Sequence, residues 1–352
     1  MRKLLMGVLL LVVVPVAGQD LGTQALWNDL EEKPLRYFSH EDLSLWLDLR
    51  AENEPSLTAG QKIEKAALKM MHTPFRMSCA SWDFSKVNCY LLANRAIAIG
   101  LAGSWEEYYL LYTRLCFKDG VRALETKNHY TLCQWYPHNA WLFEDLTDSL
   151  GAKAAVKLSP PVVDHLEDIL QQTGRGRGQA DARSSPTEDY TYEFTPSAAV
   201  LSIVGKIRPG DVVIGVQNKA MVQSFKGRDF PLTHLFVVAQ NEKGLVLVQA
   251  SNKPVRTMDL VRFAERGVYY DGFKFLRVKL TADQIRAELN KMRSWTPMAN
   301  PASVDSIIDR SVEDQLGWWF NVPDVEFERA CPANFKPGEV SRGELSKERV
   351  QR

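Results

Sequence analysis

The sequence lacks an excess of charge of either sign. Its 352 residues include 43 Lys and Arg and 43 Asp and Glu, so the formal net charge is zero near neutral pH. Proteins that bind nucleic acid or acidic membranes through general electrostatics usually carry a marked basic excess. The balance excludes such partners as a whole-chain property. The remaining composition, 45% hydrophobic and 24% charged, is typical of globular proteins.

The sequence also has little that could span a membrane. Residues 4–17, after Arg2 and Lys3, form an apolar run of about 14 residues, whereas a spanning helix needs roughly 20. The basic start and the small residues at 16–18 predict a signal peptide over residues 1–18, with the mature chain beginning near Gln19. No cysteine follows the run, which disfavours a lipoprotein. We therefore expect an exported protein, periplasmic or extracellular, with no stable membrane anchor after cleavage.

Cysteine is scarce, with five residues at positions 79, 89, 116, 133 and 331. Where disulfides form, an odd number leaves one thiol unpaired or paired between chains, and we expect that thiol to be Cys89. The other four allow three pairings, which the sequence does not rank. Cys116 is equally well explained as a buried reduced thiol. The cysteines do not show the close spacing typical of structural zinc sites, so we expect no metal and no cofactor.

The two halves of the chain have different patterns. Helix-start signals with apolar spacing behind them follow Ser39, Thr58 and Ser104 in the first half, and another follows Thr281. The second half is dominated by runs typical of strands, at 211–216, 234–240, 245–251 and 273–278. This arrangement predicts an α+β fold.

The expected domain organisation follows from where the composition changes. A segment rich in Gly, Arg and Ser at 171–190 predicts a flexible loop. The Lys, Arg and Glu residues at 336–352 predict a charged tail. Between the signal peptide and this tail we expect a single domain over 19–335, with a helical C-terminal addition from about residue 281.

A polar segment, 83–88, runs into an apolar helical pattern that begins at Cys89. The N–H groups and partial positive charge of a helix N-terminus favour ionisation of a thiol, so Cys89 is a candidate nucleophile. A cysteine nucleophile needs a base. His234 follows it by about 145 residues at the start of a predicted strand, which is the order and approximate separation of papain-like enzymes. Cys89 and His234 are therefore candidate catalytic residues.

A predicted hairpin adds a third candidate. If 241–244 is the turn, residue 236 pairs with Gln249 and His234 pairs with Ser251. Gln249 is then a diagonal neighbour of His234 and could fix the tautomer of its ring. An isolated histidine at a strand start is otherwise more often structural than catalytic, and both interpretations stay open on the pattern alone.

Several segments in order resemble one family: Thr73-Pro74-Phe75, the Cys89 helix, Asn128-His129-Tyr130, residues 139–151, Pro209-Gly210-Asp211-Val212-Val213, Thr233-His234 and Gln249-Ala250-Ser251. Over about residues 60–280 the chain resembles the exported N-acetylmuramoyl-L-alanine amidase-like family of formerly unknown function, in the NlpC branch of papain-fold cysteine peptidases. The resemblance implies a papain-like NlpC-type fold, with the nucleophile at the N-terminus of a buried helix packed on an antiparallel sheet or partial barrel.

The resemblance also implies an activity. Cys89, His234 and Gln249 would be catalytic, and Lys127, His129, Tyr130, Asn88 and Ser251 would bind substrate. The substrate would be a peptidoglycan fragment, cut between N-acetylmuramic acid and L-alanine. The family usually has Asp where this chain has Asn88, and a second His where it has Gln249. The alternatives are a γ-D-glutamyl-diaminopimelate endopeptidase, an acyl transferase with a lipid donor, and a non-catalytic binder of cell-wall fragments. The pattern of His129 and Tyr130 also fits plain aromatic packing.

Overall fold

The structure is a computed structural model that describes residues 21–76, 83–121, 128, 131–158, 190–217, 233–251, 253–265 and 270–293. Its helices lie mostly in the first half of the chain. They are α1 (Leu21–Glu32), α2 (His40–Asn53), α3 (Ala59–Lys69), α4 (Cys89–Leu101), α5 (Trp105–Cys116), α6 (Tyr136–His138), α7 (Thr147–Leu150), α8 (Val200–Ile203), α9 (Leu260–Glu265) and α10 (Ala282–Arg293). No described helix is long and apolar enough to cross a membrane.

Within the described ranges, eight strands form one sheet, and all of their pairings are antiparallel. The path through the sheet is β2-β3-β8-β4-β5-β6-β7, and β1 pairs with β8 beside that path. The strands are β1 (Phe143–Asp145), β2 (Ala154–Leu158), β3 (Tyr190–Pro196), β4 (Val212–Gln217), β5 (Thr233–Asn241), β6 (Gly244–Gln249), β7 (Arg256–Asp259) and β8 (Tyr270–Val278). The α+β class predicted from the sequence is confirmed.

Local capping explains where several helices begin. Ser39 and Thr58 form reciprocal capping boxes at the starts of α2 and α3, and Thr281 exchanges the same bonds with Gln284 before α10. Each box satisfies two backbone N–H groups that a helix start leaves without a partner. At α5, Ser104 accepts from the Glu107 N–H. These helix starts were predicted from the sequence and are confirmed.

Both faces of the sheet are covered. The core cluster that contains Leu235 and Val237 of β5 also contains the buried residues of α1 to α5. The alternate residues of β5, Phe236 and Val238, belong to a second cluster with α7, α8 and α9. Alternation along a strand sends successive side chains to opposite faces. The sheet is therefore a central layer, and α4 lies on the Leu235 side of it.

Close backbone contact fixes α4 against α3. A Cβ added at Gly100 of α4 would lie 2.7 Å from the Cα and from the N of Ile63, closer than real Cβ contacts come. Ten of the thirteen residues of α4, Leu91–Gly100, are buried. A helix that is buried on nearly all sides is a core helix, so the position of its first residue, Cys89, is set by packing along the length of α4.

Candidate active site

Cys89 is the first residue of α4, as predicted. Asn88 precedes it as the N-cap, with extended backbone, and its Oδ1 accepts a hydrogen bond from the Leu91 N–H at 2.8 Å. Short polar side chains cap helices in this way because they satisfy an N–H group of the first turn. The sequence assigned Asn88 to substrate binding. In this structure the Asn88 Oδ1 already accepts one hydrogen bond that caps α4.

The Cys89 sulfur lies beside the strand that carries His234, close enough for the backbone N–H of Leu235 to lower the pKa of the thiol. The sheet explains why that N–H is available. Val238 exchanges backbone bonds with Gly210 and Asp211 on the β4 side, so residues an odd number away, such as Leu235, direct their N–H groups toward β6. The β5–β6 pairing ends at Val237 and Val248. Beyond that point Leu235 can donate to the sulfur.

His234 lies at the start of β5, on the face that also carries Phe236. Because α4 packs on the other, Leu235 face, the described contacts bring Cys89 to β5 but not to the His234 ring. The His234 and Phe236 rings are edge to face, with centroids 4.5 Å apart. Burial lowers the pKa of His234 to about 4, and the Gln249 side chain acts weakly in the opposite direction. That contact falls short of a full hydrogen bond, since His234 Nε2 is buried and has no hydrogen-bond partner among the described residues. The imidazole is therefore neutral near pH 7.

Gln249 is the last residue of β6 and is buried. Its Nε2 donates to the sulfur of Met258 on β7, 2.8 Å away. With the nitrogen so engaged, the amide oxygen is the atom left to accept from the His234 ring, which is the direction in which Gln249 acts on the pKa. The predicted hairpin register is confirmed from Gln240 and Leu245 outward to Val237 and Val248, where the ladder ends, one pair short of the predicted pairing of residue 236 with Gln249. The sequence did not identify Met258.

The sequence predicted that the Cys89 thiol ionises readily. In the structure its pKa is raised, which is the opposite direction. Burial raises the pKa of Cys89. The N–H groups of Leu235, Tyr90 and Cys89 itself lower it but do not outweigh the loss of solvent. The helix start supplies the favourable contacts that the sequence predicted, and the packing around the sulfur overrides them. At rest, therefore, both the thiol and the imidazole are neutral.

Of the other predicted site residues, one lies just beyond the β5–β6 ladder and three lie outside the described residues. Ser251 is half-buried and lies two residues beyond β6, where pairing with β5 has ended, so its predicted position opposite His234 is not formed as a ladder pair. Lys127, His129 and Tyr130 lie outside the described residues. Between them, Asn128 is buried and donates from its side chain to the Leu115 carbonyl at 2.9 Å.

His138 was not singled out by the sequence but is tied to the same segment. Its Nδ1 lies 2.6 Å from the Asn128 Oδ1. Burial, reinforced by the charge of Lys118, lowers the pKa of His138 to about 4. The segment that carries three predicted substrate residues is thus anchored at residue 128 to the end of α5. A histidine beside a proline gives no local signal of such a contact.

Two cysteines are described as reduced thiols, Cys89 and the buried Cys116. The alternative of a buried thiol at Cys116 is confirmed, and a disulfide from it is excluded in this structure. Cys79, Cys331 and the side chain of Cys133 lie outside the described residues. Across the described ranges, no group of three or more His, Cys, Asp or Glu side chains could hold a metal ion.

The chain matches one family model over more than half of its length. Residues 66–263 match this model, which is described as AmiA-like: N-acetylmuramoyl-L-alanine amidase-like. The match covers α4, β5 and β6, and so includes Cys89, His234 and Gln249. No curated protein matches the chain.

Solved structures share the fold at low sequence identity. A Legionella pneumophila protein of the family model DUF1460 has a TM-score of 0.55 and 15% identity, covering 68% of this chain and 95% of its own. An N-acetylmuramoyl-L-alanine amidase from Bacteroides uniformis has a TM-score of 0.51 and 16% identity, covering 63% of this chain and 99% of its own. At such identities the likeness concerns the fold.

Proposed function

The chain belongs to the AmiA-like, N-acetylmuramoyl-L-alanine amidase-like family, and from this premise we propose that it is an exported cysteine amidase acting on peptidoglycan fragments. The bond cut is the amide between the lactyl group of N-acetylmuramic acid and L-alanine. The observation that supports the proposal is the position of Cys89, which begins α4 beside the N–H of Leu235, the residue that follows His234. The papain-like placement in the NlpC branch is part of the proposal.

The proposed reaction begins with attack of the Cys89 sulfur on the amide carbonyl. His234 is neutral near pH 7 and can accept the thiol proton as the bond forms. It then donates that proton to the amine of L-alanine, which leaves, and the lactyl group stays on sulfur as a thioester. Backbone N–H groups at the start of α4 stabilise the oxyanion. Water, deprotonated by His234, releases the acid and restores the thiol.

A non-catalytic binder of the same fragments is the second candidate. It is favoured by one observation, the resting neutrality of both Cys89 and His234. Gln249 adds to it, because glutamine cannot share a proton with His234 as a second histidine could. The endopeptidase alternative would use the same residues on the bond between D-glutamate and diaminopimelate.

The deciding experiment is incubation with purified muropeptides and mass spectrometry of the products. We expect loss of the complete peptide stem from the sugar. Cleavage within the stem would identify an endopeptidase, and intact fragments at all times would identify a binder. Cys89→Ala should abolish turnover, whereas Cys116→Ala, at a buried thiol of α5, serves as the matched control and should retain it. Full turnover by Cys89→Ala would refute the assigned nucleophile.

Export is part of the same proposal and has its own test. Expression with residues 1–18 in a bacterial host should give an extracytoplasmic protein whose mass begins near Gln19. A protein that stays in the cytoplasm with its first residues intact would contradict export without bearing on the reaction.

A further inference from the structure

Arg95 is a fully buried charged residue in the helix that begins at Cys89. Burying a guanidinium is costly unless its donors are satisfied. Arg95 Nη1 donates to the Lys86 carbonyl and its Nη2 donates to the Asp83 carbonyl, each at 2.9 Å. The guanidinium also lies 5.1 Å from the centroid of the Phe84 ring. All three contacts are with the segment that leads into Cys89.

The rest of that segment is held by other contacts. The Val87 N–H donates to the Pro74 carbonyl at 3.0 Å, and the Val87 carbonyl accepts from the Arg76 N–H at 3.1 Å. Asn88 caps the helix. The two Val87 backbone bonds and the Asn88 cap therefore act on residues 87 and 88, whereas Arg95 acts on residues 83–86. The fork of an arginine can hold two carbonyls at once, which a single ammonium cannot do in the same geometry.

We propose that Arg95 is a positioning residue for Cys89. It holds residues 83–86 against α4, so that the Cys89 thiol stays packed beside Leu235 and the first N–H groups of the helix keep their direction. Arg95 does not touch the reacting atoms. The inference uses the proposed function only in treating Cys89 as the nucleophile.

Arg50 provides a matched control within the same fold. It is also a buried arginine, and it also donates to two main-chain carbonyls, those of Ile99 and Ala102. It lies 5.0 Å from the Trp46 ring centroid. These carbonyls are at the opposite end of α4 from Cys89. Its replacement should therefore cost stability of the same kind without releasing the segment before Cys89.

The experiment measures alkylation of Cys89 by iodoacetamide across pH, with the labelled Cys89 peptide quantified by mass spectrometry. Arg95→Met and Arg50→Met are compared well below their melting temperatures. Loss of solvent raises the pKa of the partly buried Cys89, so release of residues 83–86, which precede it, should let more water reach the sulfur. We expect Arg95→Met to move the pH–rate profile of Cys89 to lower pH, with about tenfold faster labelling near pH 7 for each pKa unit of the move. Arg50→Met should keep the native profile.

Two further readouts keep the inference testable. Should Arg95→Met fail to fold, Arg95→Lys retains the charge and should show the same move at smaller size. If muropeptides are turned over, Arg95 variants should lose kcat with little change in KM. A profile for Arg95→Met or Arg95→Lys that matches the native one, or that matches Arg50→Met, overturns the inference. The alkylation result needs no substrate, so it stands whether or not the amidase proposal fails.

Discussion

The ion pair between Lys274 and Asp145 joins β8 to β1 and is unequally buried. The Lys274 side chain is 3% exposed and that of Asp145 is 29% exposed. Lys274 Nζ lies 4.8 Å from the Tyr136 ring centroid and 4.7 Å from that of Tyr192. The Asp145 carboxylate has more hydrogen-bond partners, because it also accepts from the Tyr136 hydroxyl at 2.7 Å and from the Thr147 N–H at 2.9 Å.

This asymmetry predicts different costs for the two halves of the pair. Asp145→Asn leaves a buried ammonium without its counter-charge, which should cost about 3–5 kcal/mol of unfolding free energy. Lys274→Met removes the buried charge and fills its space with an apolar chain. The carboxylate that stays behind is partly exposed and keeps two donors, so we expect a loss of only about 1–2 kcal/mol. The double variant should resemble Lys274→Met.

Urea unfolding followed by tryptophan fluorescence measures these differences. The double variant tests the reasoning directly, since two residues in contact should show a coupling energy well above about 0.5 kcal/mol. If Lys274→Met destabilises as much as Asp145→Asn, or if the two losses simply add, the account based on unequal burial is refuted. Burial alone would raise the pKa of Asp145, but bonds from Lys274, Thr147 and Tyr136 hold it below its ordinary value. The difference between the variants should therefore shrink in strong acid.

Three further changes test other parts of the fold. Gly100→Ala should destabilise by about 1–3 kcal/mol in urea unfolding, because the added Cβ would meet the Ile63 backbone at 2.7 Å; no loss would contradict that close contact. The pKa values of His138 and His234 are lowered from 6.5 to about 4. Above pH 6.5 both residues are neutral in the folded and unfolded protein, so the folded state has its full stability there. The contribution of His234 should fall by about 3 kcal/mol as the pH drops toward 4. That of His138 should fall by less, because its ring is partly exposed to solvent. Replacing each with glutamine should flatten that pH dependence. Asn88→Ala should cost about 1 kcal/mol through loss of the cap, whereas Asn88→Asp should cost little, and equal losses would show that capping is not its role.

Local signals in the sequence were sufficient for several elements. The helix starts after Ser39, Thr58 and Thr281 depend on contacts within four residues, so composition and spacing reveal them. The turn between β5 and β6 is also local, since Gly244 adopts φ 129°, a conformation that glycine tolerates. The register of that hairpin then follows from the turn, and with it the approach of Gln249 to His234.

Other elements depend on partners far along the chain. Strand β1, Phe143–Asp145, is three residues long and exists through its pairing with β8. Lys274 interrupts the apolar pattern of β8, and only its contact with Asp145 explains its burial. The partial burial of Cys89 is likewise non-local, because it comes from the packing of α4 on β5. The sequence therefore predicted where Cys89 lies in its helix but not the protonation state of its thiol.

The protonation states of Cys89 and His234 bear on how the proposed reaction could begin. The thiol pKa lies above its ordinary value and the imidazole pKa is about 4, so near pH 7 the thiol keeps its proton and the imidazole is neutral. Both displacements come from loss of solvent, which penalises each charged form separately. A thiolate formed together with an imidazolium gains their mutual attraction, and that attraction is larger when water is excluded. If Cys89 is the nucleophile, as proposed, proton transfer from Cys89 to His234 would require a bound amide to bring the two side chains together. An amidase with this site would show slow alkylation of Cys89 in the absence of substrate and fast turnover of muropeptides. A binder would show the slow alkylation without turnover.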